Sequence, residues 1–275
     1  MKPLVSTAWL SKNFNDPALV ILDASLESNV ANLKVEYPEI QIKGTRFFDM
    51  KGVFSDPETT LPNMLPTAAI FERECRKLGI NTNSKIVVYD NVGVYASPRV
   101  WWMFKAMGHD SIAVLDGGLT DWKNNNLDCE PKKQIKVEQG NFKAIFQPEL
   151  VRSSLQILEN ITLNDEIVMD ARSKERFKGT LPETREHLKS GHIPKSLNLP
   201  FLELLNDGKF LPKEELALVF DTFNIKDKDL VFTCGSGITA CILQLAAKII
   251  GFNNTSIYDG SWTDWGQIEG YPIEK

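Results

Sequence analysis

The sequence predicts an α/β chain made of two tandem copies of one domain, each a mainly parallel sheet flanked by helices. Three observations carry this. Short apolar runs alternate with helix-length patterns, the arrangement that gives parallel strands covered on both faces. The same series of motifs occurs twice, in the same order, at a repeat of about 144 residues. With 275 residues, 43% hydrophobic and 24% charged, the chain has the size and composition of two ordinary globular domains.

Each element follows from its own residues. In the first half, Ile21-Leu22-Asp23-Ala24-Ser25 reads as a strand end, residues 67–78 as a helix stopped by Gly79, and Ile86-Val87-Val88-Tyr89 as a second strand. Residues 97–107 follow as a helix stopped by Gly108, then Leu115-Asp116-Gly117-Gly118-Leu119-Thr120-Asp121-Trp122. The second half returns these as Val168-Met169-Asp170-Ala171-Arg172, a helix over 213–223, the strand Leu230-Val231-Phe232, a helix over 240–250 closed by Gly251, and Tyr258-Asp259-Gly260-Ser261-Trp262-Thr263-Asp264-Trp265. Lys43 to Phe48 sits where Ile193 to Asn198 sits later. A polar, lysine-rich stretch near residues 131–141 reads as the connector. The expected division is a first domain over 1–132, a linker over 133–142 and a second domain over 143–275.

Charge and cysteine usage narrow the function. A net charge of −5 argues against nucleic acid or an anionic membrane as the main partner. Met1 to Trp9 lacks the apolar core of a secretory signal, and no apolar run is long enough to span a bilayer. Four cysteines without a Cys-x-x-Cys pair are no disulfide framework, so a reducing, cytoplasmic setting is expected. No His/Cys cluster has metal-ligand spacing, and no cofactor or metal is expected.

The chemistry concentrates at Cys234-Gly235-Ser236-Gly237-Ile238-Thr239. A buried strand ends in a cysteine, two glycines follow, and a helix begins. Gly235 and Gly237 permit backbone angles that turn successive N–H groups inward, and the helix start adds partial positive charge. Such a cradle stabilises a thiolate. The competing reading is an inert cysteine buried at a strand end. The halves differ at this point, because Asp90 occupies the position of Cys234. Only the second loop can carry sulfur, which leaves the first half to keep the fold and wall a cleft.

The chain resembles the tandem-domain rhodanese family of sulfurtransferases, and its cysteine loop is similar to that of the 3-mercaptopyruvate branch. The likeness includes Tyr258 to Trp262, Ser97-Pro98-Arg99-Val100-Trp101-Trp102-Met103-Phe104 and Gly191-His192-Ile193-Pro194. The resemblance implies a persulfide relay with Cys234 as nucleophile: a small-molecule donor gives a sulfur atom, which passes to a thiol or other nucleophile in ping-pong fashion. The family segment that holds the mercaptopyruvate carboxylate and carbonyl puts its two arginines on Arg176 and Arg185. Gly235, Gly237, Ile238 and Thr239 line the same site. The loop carries no charge, which suits a singly charged organic donor better than thiosulfate; a thiosulfate sulfurtransferase is the alternative. Ser236 could hydrogen-bond the thiol or the developing enolate, or serve only as a turn residue.

The resemblance has one departure. A family histidine that precedes Ile-Pro-Gly-Ala and has been assigned to a Ser–His–Asp relay is replaced at Gln41, so no relay is carried over. Arg172 and Lys178 read as structural or rim charges, and Glu183 could fold back to orient an arginine. His109, His187 and His192 read as structural, with rim contact as the second reading of His187. Cys241 and the tryptophans Trp101, Trp102, Trp262 and Trp265 read as packing. A phosphatase would need an arginine in the loop, which is missing, and a non-catalytic sensing module would not need Cys234. The acceptor is not legible; thioredoxin and other thiols are candidates.

Overall fold

The computed structural model describes residues 1–225 and 228–275. It divides into two compact units: residues 1–56, 65–147 and 205–210 form unit 1, and residues 57–64, 148–204 and 211–275 form unit 2. Residues 133–142 lie in unit 1. Their polar composition hides two attachments: the Gly140 N–H donates to the Arg76 carbonyl, and Phe142 is buried against Phe71 and Phe104.

Unit 1 contains β1 (Leu4–Val5), β2 (Leu19–Asp23), β3 (Ile40–Ile42), β4 (Arg46–Phe47), β5 (Lys85–Tyr89), β6 (Ile112–Leu115) and β7 (Cys129–Pro131). Five of these form a sheet in the order β1-β6-β5-β2-β4 with every pair parallel. The other two, β3 and β7, make an antiparallel ribbon. The central strand β5 runs Ile86-Val87-Val88-Tyr89, all fully buried, because helices cover both of its faces. Those helices are α1 (Thr7–Asn13), α2 (Ala68–Lys77), α3 (Ser97–Ala106) and α4 (Gly118–Asn124). The Ser6 and Thr67 side chains cap α1 and α2 by accepting the Trp9 and Ile70 N–H groups.

Unit 2 repeats the plan. Its strands β8 (Val151–Arg152), β9 (Glu166–Asp170) and β10 (Leu197–Asn198) are followed by a small ribbon, β11 (Leu205–Asn206) with β12 (Lys209–Phe210), that is counted in unit 1. Then come β13 (Asp229–Thr233) and β14 (Thr255–Tyr258). The sheet order β10-β9-β13-β14-β8 is that of unit 1 strand for strand, again all parallel. The helices are α5 (Ser154–Leu163), α6 (Lys174–Phe177), α7 (Lys213–Asp221), α8 (Ala240–Ile250) and α9 (Ser261–Trp265). Residues 240–247 of α8 are all buried, as the apolar run requires, and Gly251 ends the helix at φ 112°. At about 1.5–3 kcal/mol for each large apolar side chain removed from water, this helix and β13 are a main anchor of the unit.

The expected α/β duplication is therefore present. No described helix is long and apolar enough to cross a membrane. In both units the central strand delivers a loop at its carboxyl end, directly before a buried helix: residues 90–96 before α3 and residues 234–239 before α8.

Candidate active site

Thr233, the last residue of β13, pairs with Asp170 of β9, and Cys234 follows it, 2% exposed. Gly237 takes φ 79°, a left-handed angle that lets the chain turn back toward the cysteine. Thr239 precedes α8 in a helical conformation and its side chain caps no N–H; the Cys241 and Ile242 N–H groups donate to the Ile238 and Thr239 carbonyls at 3.2 and 3.1 Å. Ile238 and Thr239 are buried, whereas Gly235 and Ser236 are half-exposed. Cys241 is buried behind the loop, with its Sγ 3.3 Å from the Gly237 carbonyl, in packing rather than at the surface.

The loop is held from the start of α9. The Cys234 N–H donates to Ser261 Oγ at 3.2 Å, and that hydroxyl donates to the Tyr258 carbonyl at 2.9 Å. The Trp262 N–H donates to the Cys234 carbonyl at 3.0 Å. Thr263 gives both its N–H (2.9 Å) and its hydroxyl (2.6 Å) to the Gly235 carbonyl. Ser261 adopts φ 51°, unusual for a residue with a side chain, and its two hydrogen bonds offset that strain.

Unit 1 shows what this kind of loop can hold. Asp90 stands where Cys234 does, and the Leu119 N–H donates to its carbonyl at 3.0 Å, matching Trp262 and Cys234. The N–H groups of Tyr95, Ala96 and Ser97 each reach Asp90 Oδ2 at 2.9 Å, and the Ser97 hydroxyl reaches it at 2.8 Å. Burial raises the Asp90 carboxyl in pKa, and these donors oppose that rise without cancelling it. The nest thus converges on an acidic group five to seven residues upstream. In unit 2 the same offsets from Cys234 fall on Thr239, Ala240 and Cys241.

Both predicted arginines come to the loop. A methyl group on Gly235 would stand 3.2 Å from Arg176 Nη2, so the glycine lets the guanidinium approach the loop closely and is not there for a positive φ, a different reason from the one its sequence suggests. Arg185 donates to Thr263 Oγ1 at 3.2 Å and so reaches Gly235 through Thr263. Glu183 does fold back: one oxygen takes Arg176 Nη2 and the other takes Arg172 Nη1 at 2.9 Å. Arg172 is fully buried, paired with Asp170, bonded to the Gly191 carbonyl at 2.9 Å and laid over the Trp262 ring at 4.3 Å. Burial works against its charge, and Asp170 and Glu183 more than restore it, so Arg172 is a structural cation. Arg176 Nε is buried and has no acceptor among the described residues.

Ser236 is met by a residue that the sequence did not indicate. Asn63 Nδ2 donates to Ser236 Oγ at 3.1 Å and to its carbonyl at 3.2 Å. The two residues are 173 positions apart, and no spacing or periodicity links them. Gln41 instead bonds Glu130 Oε1 (3.2 Å) and the Lys133 carbonyl (3.4 Å) across the β3–β7 ribbon. The polar partner of Ser236 is thus Asn63, and Gln41 makes its hydrogen bonds elsewhere. His109 is buried among Phe104 and Phe142; His192 stacks on Phe177 at 3.7 Å and its Nδ1 donates to the Phe177 carbonyl at 2.8 Å; His187 is exposed. Ser261 and Thr263 also escaped the sequence reading, although the repeat could have flagged Ser261, which stands where the first half has Gly118.

The Rhodanese-like domain family matches residues 6–125 and 154–268. The mitochondrial thiosulfate/3-mercaptopyruvate sulfurtransferase 1 of Arabidopsis thaliana is 40% identical over 298 residues, covering 100% of this chain and 78% of its own length. The 3-mercaptopyruvate sulfurtransferase of Escherichia coli K12 is 34% identical over 98% of this chain and 97% of its own, and that of Mus musculus 39% identical over 96% and 92%. The crystal structure of SseA from Escherichia coli, described as showing the rhodanese fold and catalytic mechanism of 3-mercaptopyruvate sulfotransferases, superposes with a TM-score of 0.83 at 33% identity, covering 95% of this chain and 99% of that one.

Proposed function

The chain belongs to the family of rhodanese-like domains, and from that premise we propose that it moves a sulfur atom from 3-mercaptopyruvate to a thiol or another nucleophile through a persulfide on Cys234. The observation that carries this reading is the placement of one cysteine at the end of β13, in an uncharged loop approached by Arg176 and, through Thr263, by Arg185.

The steps follow from the chemistry of these groups. The Cys234 thiolate attacks the donor sulfur, the sulfur–carbon bond breaks, and its electron pair stays with the carbon as pyruvate enolate. A proton converts the enolate to pyruvate. An acceptor thiolate then attacks the outer sulfur of the persulfide and releases Cys234 as thiolate. Arg176 and Arg185 hold the donor carboxylate and carbonyl, for which planar guanidinium groups are suited. The Ser236 hydroxyl hydrogen-bonds the donor thiol or the developing enolate. The backbone of Gly235, Gly237, Ile238 and Thr239 lines the sulfur, and the N–H groups of Thr239 and Ala240, which stand where Tyr95 and Ala96 donate to Asp90, hold its negative charge. Thioredoxin and small thiols are the acceptors to try, and a reducing, cytoplasmic setting would keep Cys234 available.

Intact-protein mass measurement after incubation with 3-mercaptopyruvate is the direct test. The expected result is the gain of one sulfur atom, removed by reductant and absent in Cys234→Ser. Sulfur transfer surviving in Cys234→Ser would remove the nucleophile from this account. In steady-state comparison the organic donor should give the larger kcat/KM; a ratio favouring thiosulfate would reverse the donor assignment.

A further inference from the structure

Resting on the sulfurtransferase reading, we infer that Asn63 is a positioning residue for the transfer step: its carboxamide donates to Ser236 Oγ and so aims the serine hydroxyl proton at the reacting atoms. Asn63 belongs to unit 2, with the loop it touches, and is 8% exposed. Its backbone sits at φ 61°, a left-handed angle that asparagine tolerates better than most residues.

The direction of the hydrogen bond is fixed by its second partner. The Ser236 carbonyl can only accept, so the group that contacts both it and Oγ is the amide nitrogen. An N–H on a lone pair of Oγ turns the serine's own O–H toward another acceptor. In the half-exposed loop beside Cys234 that acceptor is the donor, at its sulfur or its enolate oxygen. A carboxamide is not a base, so no proton travels to residue 63. The proton that completes pyruvate comes from the transferred sulfur itself. The S–H bond of the new persulfide breaks as Ser236 Oγ takes its proton, Oγ gives its own proton to the enolate carbon, and the persulfide is left as an anion facing the loop amides. Serine is unchanged, no electrons are gained or lost beyond the sulfur transfer, and the only products are pyruvate and the loaded enzyme.

Among the described residues, the charged and titratable groups near the loop include Arg176 over Gly235, Glu183 behind it with Arg172 and Asp170, Arg185 on Thr263, Asp259 two residues before Ser261, and Cys234; the exposed His187 lies two residues from Arg185. The test therefore compares variants with wild type, so that these contributions cancel.

The variants are Asn63→Ala, Asn63→Asp and Asn63→His, measured as full-length protein with 3-mercaptopyruvate and a small thiol acceptor, with kcat and KM separated. Asn63→Ala should lower kcat about fivefold and leave the donor KM within about twofold, the effect of losing one orienting hydrogen bond. Asn63→Asp keeps the volume but accepts instead of donating, draws the hydroxyl to itself, and should lower kcat further than alanine does. Asn63→His introduces a group that titrates near pH ~6.5, and its kcat profile should show an added limb there when divided by the wild-type profile. Wild-type kcat in both Asn63→Ala and Asn63→Asp overturns the proposal. Equal losses in these two, carried in KM as much as in kcat, identify packing alone and overturn it as well. If wild-type protein gains no sulfur by mass, the sulfurtransferase reading itself fails; if it gains sulfur and the Asn63 variants behave as wild type, only the role of Asn63 fails.

Discussion

At the scale of single residues, the site is organised by one carboxylate. Glu183 lies between two guanidinium groups, one fully buried on Arg172 and one at the loop on Arg176. Arg172 keeps a second carboxylate, Asp170, whereas Arg176 has no other recorded acidic partner among the described residues. Glu183→Gln keeps the shape and removes the charge. The donor KM should then rise about tenfold with a smaller change in kcat, because Arg176 is no longer fixed over Gly235. Stability should fall by about 1–3 kcal/mol, because a buried cation loses one of its two counter-charges. Steady-state kinetics and denaturant unfolding check the two parts separately, and an unchanged KM would show that Arg176 keeps its place unaided. The pair Arg176 and Arg185 was legible through its resemblance to a family segment. Asn63 was not, because a contact across 173 residues leaves no trace in local pattern.

At the scale of elements, the boundaries were legible where the signal is local. The helix over 240–250 is bounded by a strand-ending cysteine loop and by Gly251, and the structure gives α8 those same limits. The helix expected over 213–223 ends earlier, at Asp221. The two-residue strands β1, β4, β8 and β10 were invisible, since two residues cannot show a period; they are strands only because a longer neighbour supplies the hydrogen bonds. The loop before α3 carries a prediction at this scale. Asp90 satisfies the N–H groups of Val92, Tyr95, Ala96 and Ser97 and the Ser97 hydroxyl before a helix where Ala96 offers no side-chain cap. Asp90→Ala leaves those buried donors without an acceptor. Denaturant unfolding should show a loss of about 2 kcal/mol, the cost of unsatisfied buried donors reduced by relief of a buried carboxyl. Undiminished stability would mean that the amides find other partners and that Asp90 is not what holds the turn.

For the whole molecule, duplication separated stability from chemistry: one copy closes its nest with its own carboxyl, and the other leaves a sulfur there. The acid response of the chain follows from groups distributed over this frame. Burial holds His109 below the usual histidine range, against the hydrogen bonds of Ser84 and Ser111, with Lys105 lowering it further and Asp110 raising it. The folded state therefore favours the neutral ring, while the unfolded chain takes up a proton below about pH 6.5. Stability from this group is complete above that pH and is lost as the pH falls toward the folded-state value, at up to about 1.4 kcal/mol per pH unit. Glu74 and Glu130, both lowered, act later: their lysine-paired carboxylates lose their contribution below about pH 4.5. The buried carboxyls Asp23 and Asp90, both raised by burial, act in the opposite sense and gain relative stability as they protonate. The first acid-sensitive window is thus that of His109. His109→Gln should flatten the fall of the unfolding free energy that sets in below about pH 6.5 in wild type, while leaving the slope below pH ~4.5 in place. Parallel profiles for the two proteins across the upper window would show that the ring between Phe104 and Phe142 gains its proton as readily in the fold as in the open chain.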